Sequence, residues 1–246
     1  ARAQASDSVR TAGAEFARTS LRTVAQEYHQ RARGTHAPAD WRAALDLYQQ
    51  VLKSWPDDPD APALALKAGE AATQLGEYPT ALEHYQRAAA GSDSIAAQAM
   101  WQRVAVTDEW YERTRGQASP GKPRAATGQD SLARAVLRTA DELRARFPDH
   151  PHAADLLWRE GNLAFAHGWL DESSQRFGEL ADHHPADKRA PRASILKADA
   201  LFKLGKYDQA GPAYEQALTA ARTAHADTLA RRAAQALFAP ADEGEA

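Results

Sequence analysis

The chain has 246 residues, of which 43% are hydrophobic and 26% charged, and both fractions are ordinary for a globular protein. Lys and Arg total 30 against 33 Asp and Glu, so the net charge of -3 argues against a nucleic-acid partner. The absence of cysteine excludes disulfides, thiol catalysis and cysteine-ligated zinc. No run of 18 apolar residues is present, so the sequence predicts no membrane-spanning helix.

The first segment with a helical pattern of apolar residues is 8–33, and we expect Gly13 to interrupt it. A turn-rich connector follows, in which Asp40 suits the N-cap of a helix that begins at Trp41. These two segments form a first predicted pair of helices over residues 8–55.

From this pair onward the chain repeats a set of apolar and small residues with a period of 37, and an insertion of about 18 residues interrupts the repeat in the middle. The matching positions are Ala44, Tyr48 and Val51; Ala81, Tyr85 and Ala88; Ser173, Phe177 and Leu180; and Ala210, Tyr214 and Ala217. A period between 20 and 50 residues is typical of a solenoid made of stacked supersecondary units.

Each repeat reads as two helices, with a glycine where the first helix should stop, at Gly76, Gly168 and Gly205. Seven residues earlier, inside the first helix, the repeat has a small residue, at Gly69, Gly161 and Ala198. Glycine inside a helix is disfavoured by about 1 kcal/mol. We therefore expect the paired helix to approach closely at this position.

Three runs of sequence resemble the tetratricopeptide repeat (TPR): AGEAATQLGEYPTALEHYQRAA, EGNLAFAHGWLDESSQRFGEL and ADALFKLGKYDQAGPAYEQAL. They follow that motif's series of a small residue, Gly, Tyr, Ala, an aromatic residue and Ala, although the second run departs at Leu170, Ser173 and Leu180. The resemblance implies an all-α, right-handed, TPR-like superhelical solenoid of about five antiparallel helix pairs plus a C-terminal helix, forming one domain over 1–246. The expected pairs are 8–55, 60–91, 94–147, 151–184 and 189–222, with the terminal helix at 225–238 as a cap or as the start of another repeat.

The connectors between repeats, WPDDPDAP, FPDHPHAA and HPADKRAP, resemble the Pro-Asp-x-Pro turns of TPR proteins in the bacterial cell envelope. Such proteins include the coordinator of outer-membrane constriction and the lipoproteins of outer-membrane assembly. This resemblance implies a periplasmic or outer-membrane-associated location, with the cytoplasm as the alternative. Because the chain starts ARAQASD without Met, a removed leader or an excised fragment both stay open.

Two segments depart from the repeat. Residues 114–129 combine three Gly and two Pro with basic residues, and they predict a loop insertion, either a mobile connection or a docking loop for an acidic partner. Helix is expected to resume at Ser131, capped by that residue or by Asp130. Pro212 lies about four residues into the second helix of the fifth pair, so we expect that helix to begin later than its counterparts.

The sequence predicts no metal site, no cofactor and no catalytic site. The histidines that invite a metal reading are His150, His152, His183 and His184, which lie in surface connectors without a fixed helical spacing. No G-x-S-x-G, phosphate loop or H-E-x-x-H motif is present. The alternative is that the chain is the helical superhelix of a larger enzyme, such as a peptidoglycan-cleaving enzyme, whose catalytic part is absent from this sequence.

In TPR proteins the first helix of each pair lines a concave groove that binds a peptide or protein segment. Carrying that role over to the fourth and fifth repeats gives six candidate contact residues: Trp158, Asn162, Phe165, Ile195, Asp199 and Phe202. Each set of three has i, i+4, i+7 spacing, which places it on one face of a helix. The alternative for Trp158 and Phe202 is packing between repeats.

The sequence disfavours one subtype of this family. Chaperone-binding TPR domains hold a terminal carboxylate with Lys and Asn, but the position of the first such Lys is Leu66, Trp158 or Ile195 here. The predicted function is therefore a non-catalytic scaffold for a protein or peptide partner, within a multiprotein envelope complex, without a carboxylate clamp.

Overall fold

A computed structural model describes residues 2–116, 126–223 and 227–238 of the chain. In those ranges it contains eleven α-helices and no strand, which confirms the all-α fold class. The helices are α1 (Arg2–Thr35), α2 (Pro38–Ser54), α3 (Ala61–Gln74), α4 (Tyr78–Ala88), α5 (Asp93–Gly116), α6 (Ala126–Arg146), α7 (Ala153–Ala166), α8 (Leu170–His183), α9 (Ala190–Lys203), α10 (Tyr207–Thr223) and α11 (Asp227–Phe238). Among them, none combines the length and the apolar character needed to cross a membrane.

The helices fall into two compact units, which we call unit 1 (Ala1–Phe147) and unit 2 (Pro148–Ala246). Unit 1 contains α1 to α6 and unit 2 contains α7 to α11. Within each unit a helix packs mainly against the helices before and after it in the chain, as expected for a stack of helix pairs. The single solenoid over residues 1–246 stays a prediction.

The turns inside the second, fourth and fifth pairs confirm the predicted glycine stops. Gly76, Gly168 and Gly205 have φ angles of 73°, 74° and 72°, a left-handed conformation that glycine adopts without a Cβ clash. Around Gly205, its own N–H donates to Phe202 O at 2.9 Å, and the N–H of Lys206 donates to Leu201 O at 3.0 Å. These two bonds form a Schellman motif, which satisfies carbonyls at the end of α9 and reverses the chain into α10.

The small residue in the first helix of a pair meets an aromatic side chain of the second helix, as predicted. A Cβ built on Gly161 would lie 2.7 Å from Cε1 of Phe177, and one built on Gly69 would lie 2.6 Å from Cε1 of Tyr85. Both rings are almost fully buried. Any side chain at either glycine would therefore push the paired helices apart.

The predicted interruption of the first helix and the predicted N-cap of the second are wrong. The helix α1 continues through Gly13, which is exposed and has no neighbouring atom within 4 Å of a built Cβ. The next helix begins at Pro38, because the fixed φ of proline suits the first turn of a helix. Asp40 lies inside that turn, where its carboxylate accepts hydrogen bonds from Arg31 at 2.5 and 2.8 Å.

The predicted boundaries around the insertion also change. The structure extends α5 to Gly116 and starts α6 at Ala126, so the connection is shorter than 114–129, and residues 117–125 lie outside the described part. The helix α6 begins five residues before Ser131, so the predicted start is wrong. Gly128 lies inside this helix, where glycine costs about 1 kcal/mol relative to alanine.

The helix α10 begins at Tyr207 despite Pro212, so the predicted late start is wrong. Gly211 precedes the proline and has no Cβ to clash with the proline ring, which removes part of the usual restriction on the preceding residue. Pro212 is itself exposed, so water can satisfy the carbonyl that loses its helical donor.

Candidate protein-binding surface

Five of the six candidate contact residues lie on the solvent side of α7 and α9 in unit 2. The buried positions of these two helices alternate with a stripe of partly buried or exposed positions, as in any amphipathic helix. The stripes contain Trp158, Asn162 and Phe165 on α7, and Asp199 and Phe202 on α9. We call these two stripes together the unit 2 first-helix face.

Trp158 combines the two roles that the sequence left open. Its ring centroid lies 5.6 Å from that of Phe177 in an edge-on contact, and it packs against a buried cluster that includes Leu157. The indole is nevertheless only partly buried, and the guanidinium groups of Arg192 and Arg189 lie 5.6 and 6.0 Å from its centroid. Trp158 thus packs between two repeats and also contributes to the surface.

Asn162 lies between the two aromatic residues of α7. Its Nδ2 donates a hydrogen bond to the carbonyl oxygen of Trp158 at 2.6 Å, and the side chain is partly buried. The amide nitrogen has a second N–H, and the amide oxygen has two acceptor positions. Asn162 therefore has hydrogen-bonding capacity beyond its own helix.

The far end of the same face is aromatic and exposed. The ammonium of Lys203 lies 4.5 Å from the ring centroid of Phe165, and this contact links α9 to α7. Phe202 is 49% exposed and contacts Tyr207, which is 63% exposed, with their centroids 5.1 Å apart. Two large neighbouring aromatic side chains left open to solvent are typical of an interaction site.

The structure corrects the role predicted for Ile195. Its side chain is 1% exposed and belongs to a buried cluster with Ala217 and Ala233, so it lies beneath the face and not on it. The physical reason is that α11 packs against α9 and α10 and covers this position.

Asp199 lies on the face but is already engaged within unit 2. Its carboxylate accepts a hydrogen bond from the hydroxyl of Tyr214 at 2.7 Å and one from Arg232 at 2.8 Å. Burial, with a smaller contribution from the hydrogen bond to Asp199, raises the pKa of Tyr214. The sequence could not reveal this role, because both partners lie on other helices, 15 and 33 residues away.

Sequence reasoning missed the cations of this face. Arg192 and Lys203 are exposed, and each lies over a ring that the sequence did identify. Arg189, by contrast, is paired with Asp187 at 2.6 Å and with Asp155 at 2.8 Å. Its hydrogen bonds lower the pKa of Asp187 to about 2. The only sequence signal was that Arg192 and Lys203 share the helical stripe of Asp199.

The histidine connectors form no recognisable metal centre. The rings of His150 and His152 lie 5.5 Å apart, and Nδ1 of His152 lies 3.1 Å from a carboxylate oxygen of Asp155. In the ranges that the structure describes, no group of three or more His, Cys, Asp or Glu is placed to hold a metal ion. His152 instead contributes to the polar contacts of the turn before α7.

A family model for the tetratricopeptide repeat matches residues 39–95, 159–225 and 195–241, which together make up more than half of the chain. The unit 2 matches include all of the candidate contact residues except Trp158, which lies one position before the first of them. A comparison with curated protein sequences finds no significant match.

Several solved structures are similar to this one. The crystal structure of MamA protein aligns at 17% identity and a TM-score of 0.48, covering 82% of this chain and 92% of its own. A tetratricopeptide repeat protein from Parabacteroides merdae aligns at 15% identity and a TM-score of 0.47, covering 88% of this chain and 73% of its own. A thermophilic TPR protein from Thermus thermophilus aligns at 19% identity and a TM-score of 0.38, covering 87% and 99%.

The family assignment rests on the residues matched by the family model, together with the helix pairs, the glycine turns and the close contacts between paired helices. TPR arrays typically act in protein–protein interaction and are typically non-catalytic. The chain belongs to the tetratricopeptide repeat family.

Proposed function

We propose that this protein is a non-catalytic scaffold that binds a segment of a partner protein on the unit 2 first-helix face. The observation that supports the proposal most directly is the exposed pair of Phe202 and Tyr207. The stripe on α7 adds Phe165 and Trp158, which are partly buried. A few anchor residues, often aromatic, supply most of the binding energy at a protein interface. A nearby amide such as Asn162 can fix the register of a bound chain through hydrogen bonds.

The test is an affinity selection with the 246-residue chain against a displayed library of random 12-residue peptides, followed by measurement of Kd for the selected peptides. Phe202→Ala should weaken binding by about 2 kcal/mol, or roughly thirtyfold, as expected for an interface anchor. The same variant should melt close to the wild type, because half of the side chain is already exposed.

The control is Val9→Ala, which truncates an exposed apolar side chain in unit 1. It should leave the affinity for every selected peptide unchanged. Selection of no peptide, or equal affinities of the wild type and the Phe202→Ala and Trp158→Ala variants, would contradict the proposed binding face.

We also propose a place in an assembly of the bacterial cell envelope. The support is the likeness of the connectors WPDDPDAP and FPDHPHAA to the turns of envelope TPR proteins. Protease accessibility of the full-length protein in osmotically opened cells of its source tests this location. A protein that is degraded only after the inner membrane is broken would place it in the cytoplasm and overturn the proposal.

A further inference from the structure

We infer that the segment bound by the unit 2 first-helix face is acidic and presents carboxylates to Arg192 and Lys203. This inference rests on the proposed function and specifies the chemistry of its partner. The inference rests on three properties of these two cations among the described residues: they have no ion-pair partner, they lie over aromatic rings, and the unit around them has no basic surplus.

The two cations are exposed and have no carboxylate partner among the residues that the structure describes, unlike several other cations of unit 2. In unit 2, Lys206 pairs with Asp171 at 2.6 Å, and Arg232 pairs with Asp199 at 2.8 Å. Within the described part of the chain, neither Arg192 nor Lys203 forms an ion pair, although both are exposed. Their charges are therefore available to a carboxylate from another molecule.

Aromatic rings hold both cations at the face. The guanidinium of Arg192 lies 5.6 Å from the Trp158 centroid, and the ammonium of Lys203 lies 4.5 Å from the Phe165 centroid. A cation over a ring is attracted to the ring's negative face and keeps its other side in solvent. Each pair offers an apolar surface and a positive charge next to each other, which suits an acidic residue beside an apolar one.

The charge of unit 2 favours a short acidic segment over a long polyanion. Its described residues contain 11 Lys and Arg against 12 Asp and Glu, so the unit has no basic surplus of the kind that binds RNA. Two exposed cations on one face attract a short acidic segment by local charge complementarity.

The spacing of the side chains on this face predicts how far apart the acidic residues of the bound segment lie. Trp158 and Phe165 are seven residues apart on α7, which corresponds to about 10 Å along the helix axis. An extended chain covers this distance in about three residues. Arg192 and Lys203, which would pair with the carboxylates, are eleven residues apart on α9, or about 16 Å along its axis. We therefore expect acidic residues about three to five positions apart, with Asn162 opposite the backbone between them.

The experiment applies the same library selection to the wild type and to the double variant Arg192→Glu/Lys203→Glu. Peptides selected by the wild type should be enriched in Asp and Glu at the predicted spacing, and their affinity should fall as salt rises. The double variant should bind them at least about tenfold more weakly, because two attractive contacts become repulsive. The neutral variant Arg192→Gln/Lys203→Gln should show a smaller loss, and melting curves check that both variants are folded.

The control is Arg222→Glu, which reverses one positive charge at an exposed position of α10, as each substitution of the double variant does on the binding face. It should keep the affinity within about twofold, since exposed charges beyond a Debye length are screened. Equal losses in this control and in the double variant would overturn the inference in favour of a general charge effect.

The remaining outcomes separate this inference from the proposed function. Selected peptides without acidic enrichment, whose binding still depends on Trp158 and Phe202, would overturn the acidic partner and leave the binding face intact. Failure to select any peptide that depends on those two residues would overturn both. Binding of single-stranded oligo(dT) that is lost in the double variant would replace the acidic segment with a nucleic acid.

Discussion

The first helices of the second and fourth pairs use the same repeat positions in different ways. Three positions of α3, Leu66, Glu70 and Thr73, align in the repeat with Trp158, Asn162 and Phe165 of α7. In unit 1 two of these side chains make internal contacts: a carboxylate oxygen of Glu70 lies 3.3 Å from Nε2 of His29, and the Thr73 hydroxyl donates to Gly69 O at 2.8 Å. In unit 2 the same positions carry two aromatic residues that are partly open to solvent.

The interior positions of the two pairs are alike in spite of this difference. Gly69 meets Tyr85, and Gly161 meets Phe177, with almost the same distance from a built Cβ to the ring. The repeat therefore specifies how paired helices pack, while the outward positions of the first helix are free to stabilise a neighbour or to face a partner. A binding face has to be sought in the positions that vary between repeats.

The largest expected effect is a loss of stability that distinguishes buried residues of unit 2 from residues on its binding face. Phe177→Ala should destabilise unit 2 by about 3 to 5 kcal/mol, because the ring is fully buried and its loss leaves a cavity. Trp158→Ala should cost less, since one side of the indole faces solvent. Urea denaturation of both variants measures the difference in the free energy of unfolding.

The reference for that measurement is Tyr214→Ala, which truncates a buried ring of the fifth pair. It should resemble Phe177→Ala. If Trp158→Ala unfolds as early as these two variants, Trp158 is a packing residue, and the difference between α3 and α7 loses its main support.

A second, intermediate effect tests whether the second and fourth pairs share the same close contact between their two helices. Gly161→Leu and Gly69→Leu should each be destabilising by about 1 to 3 kcal/mol, because a side chain at either position collides with the ring of the paired helix. Gly128→Leu is the control, since no atom lies within 4 Å of its built Cβ, and leucine is the better helix former. Thermal melts that shift equally at Gly161 and Gly128 would contradict the close contact.

Most of the fold could be predicted from the sequence because its determinants are local or periodic. The glycine stops and the small residues recur at fixed distances from one another, and the chain needs no distant contact to reveal them. The errors arose where one residue type is compatible with two structures. Pro212 was expected to delay α10, although an exposed helix surface tolerates proline. Asp40 was expected to cap α2 from outside, although an acidic residue also suits the first turn of a helix.

Less of the candidate site could be predicted, because its properties depend on contacts between repeats. Helical spacing placed Trp158 and Phe202 on an outward stripe, but it gave no information on the helix that covers Ile195. Nor did spacing show that Arg192 of α9 lies over Trp158 of α7. Such contacts are set by the angle at which successive pairs stack, which a single helix does not encode.

The smallest expected effect concerns the polar contact of unit 1, and it is a dependence on pH. The His29 side chain beside Glu70 holds the pKa of that carboxyl below its ordinary value, and burial opposes this shift. Because the pKa is lower in the folded state than in the unfolded state, Glu70 contributes stability above the unfolded pKa and loses it as the pH falls through the folded one. The contribution should be below about 1 kcal/mol, since the Glu70 side chain is 41% exposed and screened by solvent.

Glu70→Gln removes the titrating group and keeps the size of the side chain. At pH 7 the variant should be slightly less stable than the wild type, and the difference should disappear at an acidic pH below the lowered pKa of Glu70, where Glu70 of the wild type is protonated as well. Asn162→Gln changes the aligned position of α7, which has no carboxylate, so its effect on stability should not depend on pH. A Glu70→Gln effect that is equally large at both pH values would show that the contact with His29 is not electrostatic, and the aligned positions would then differ in packing rather than in charge.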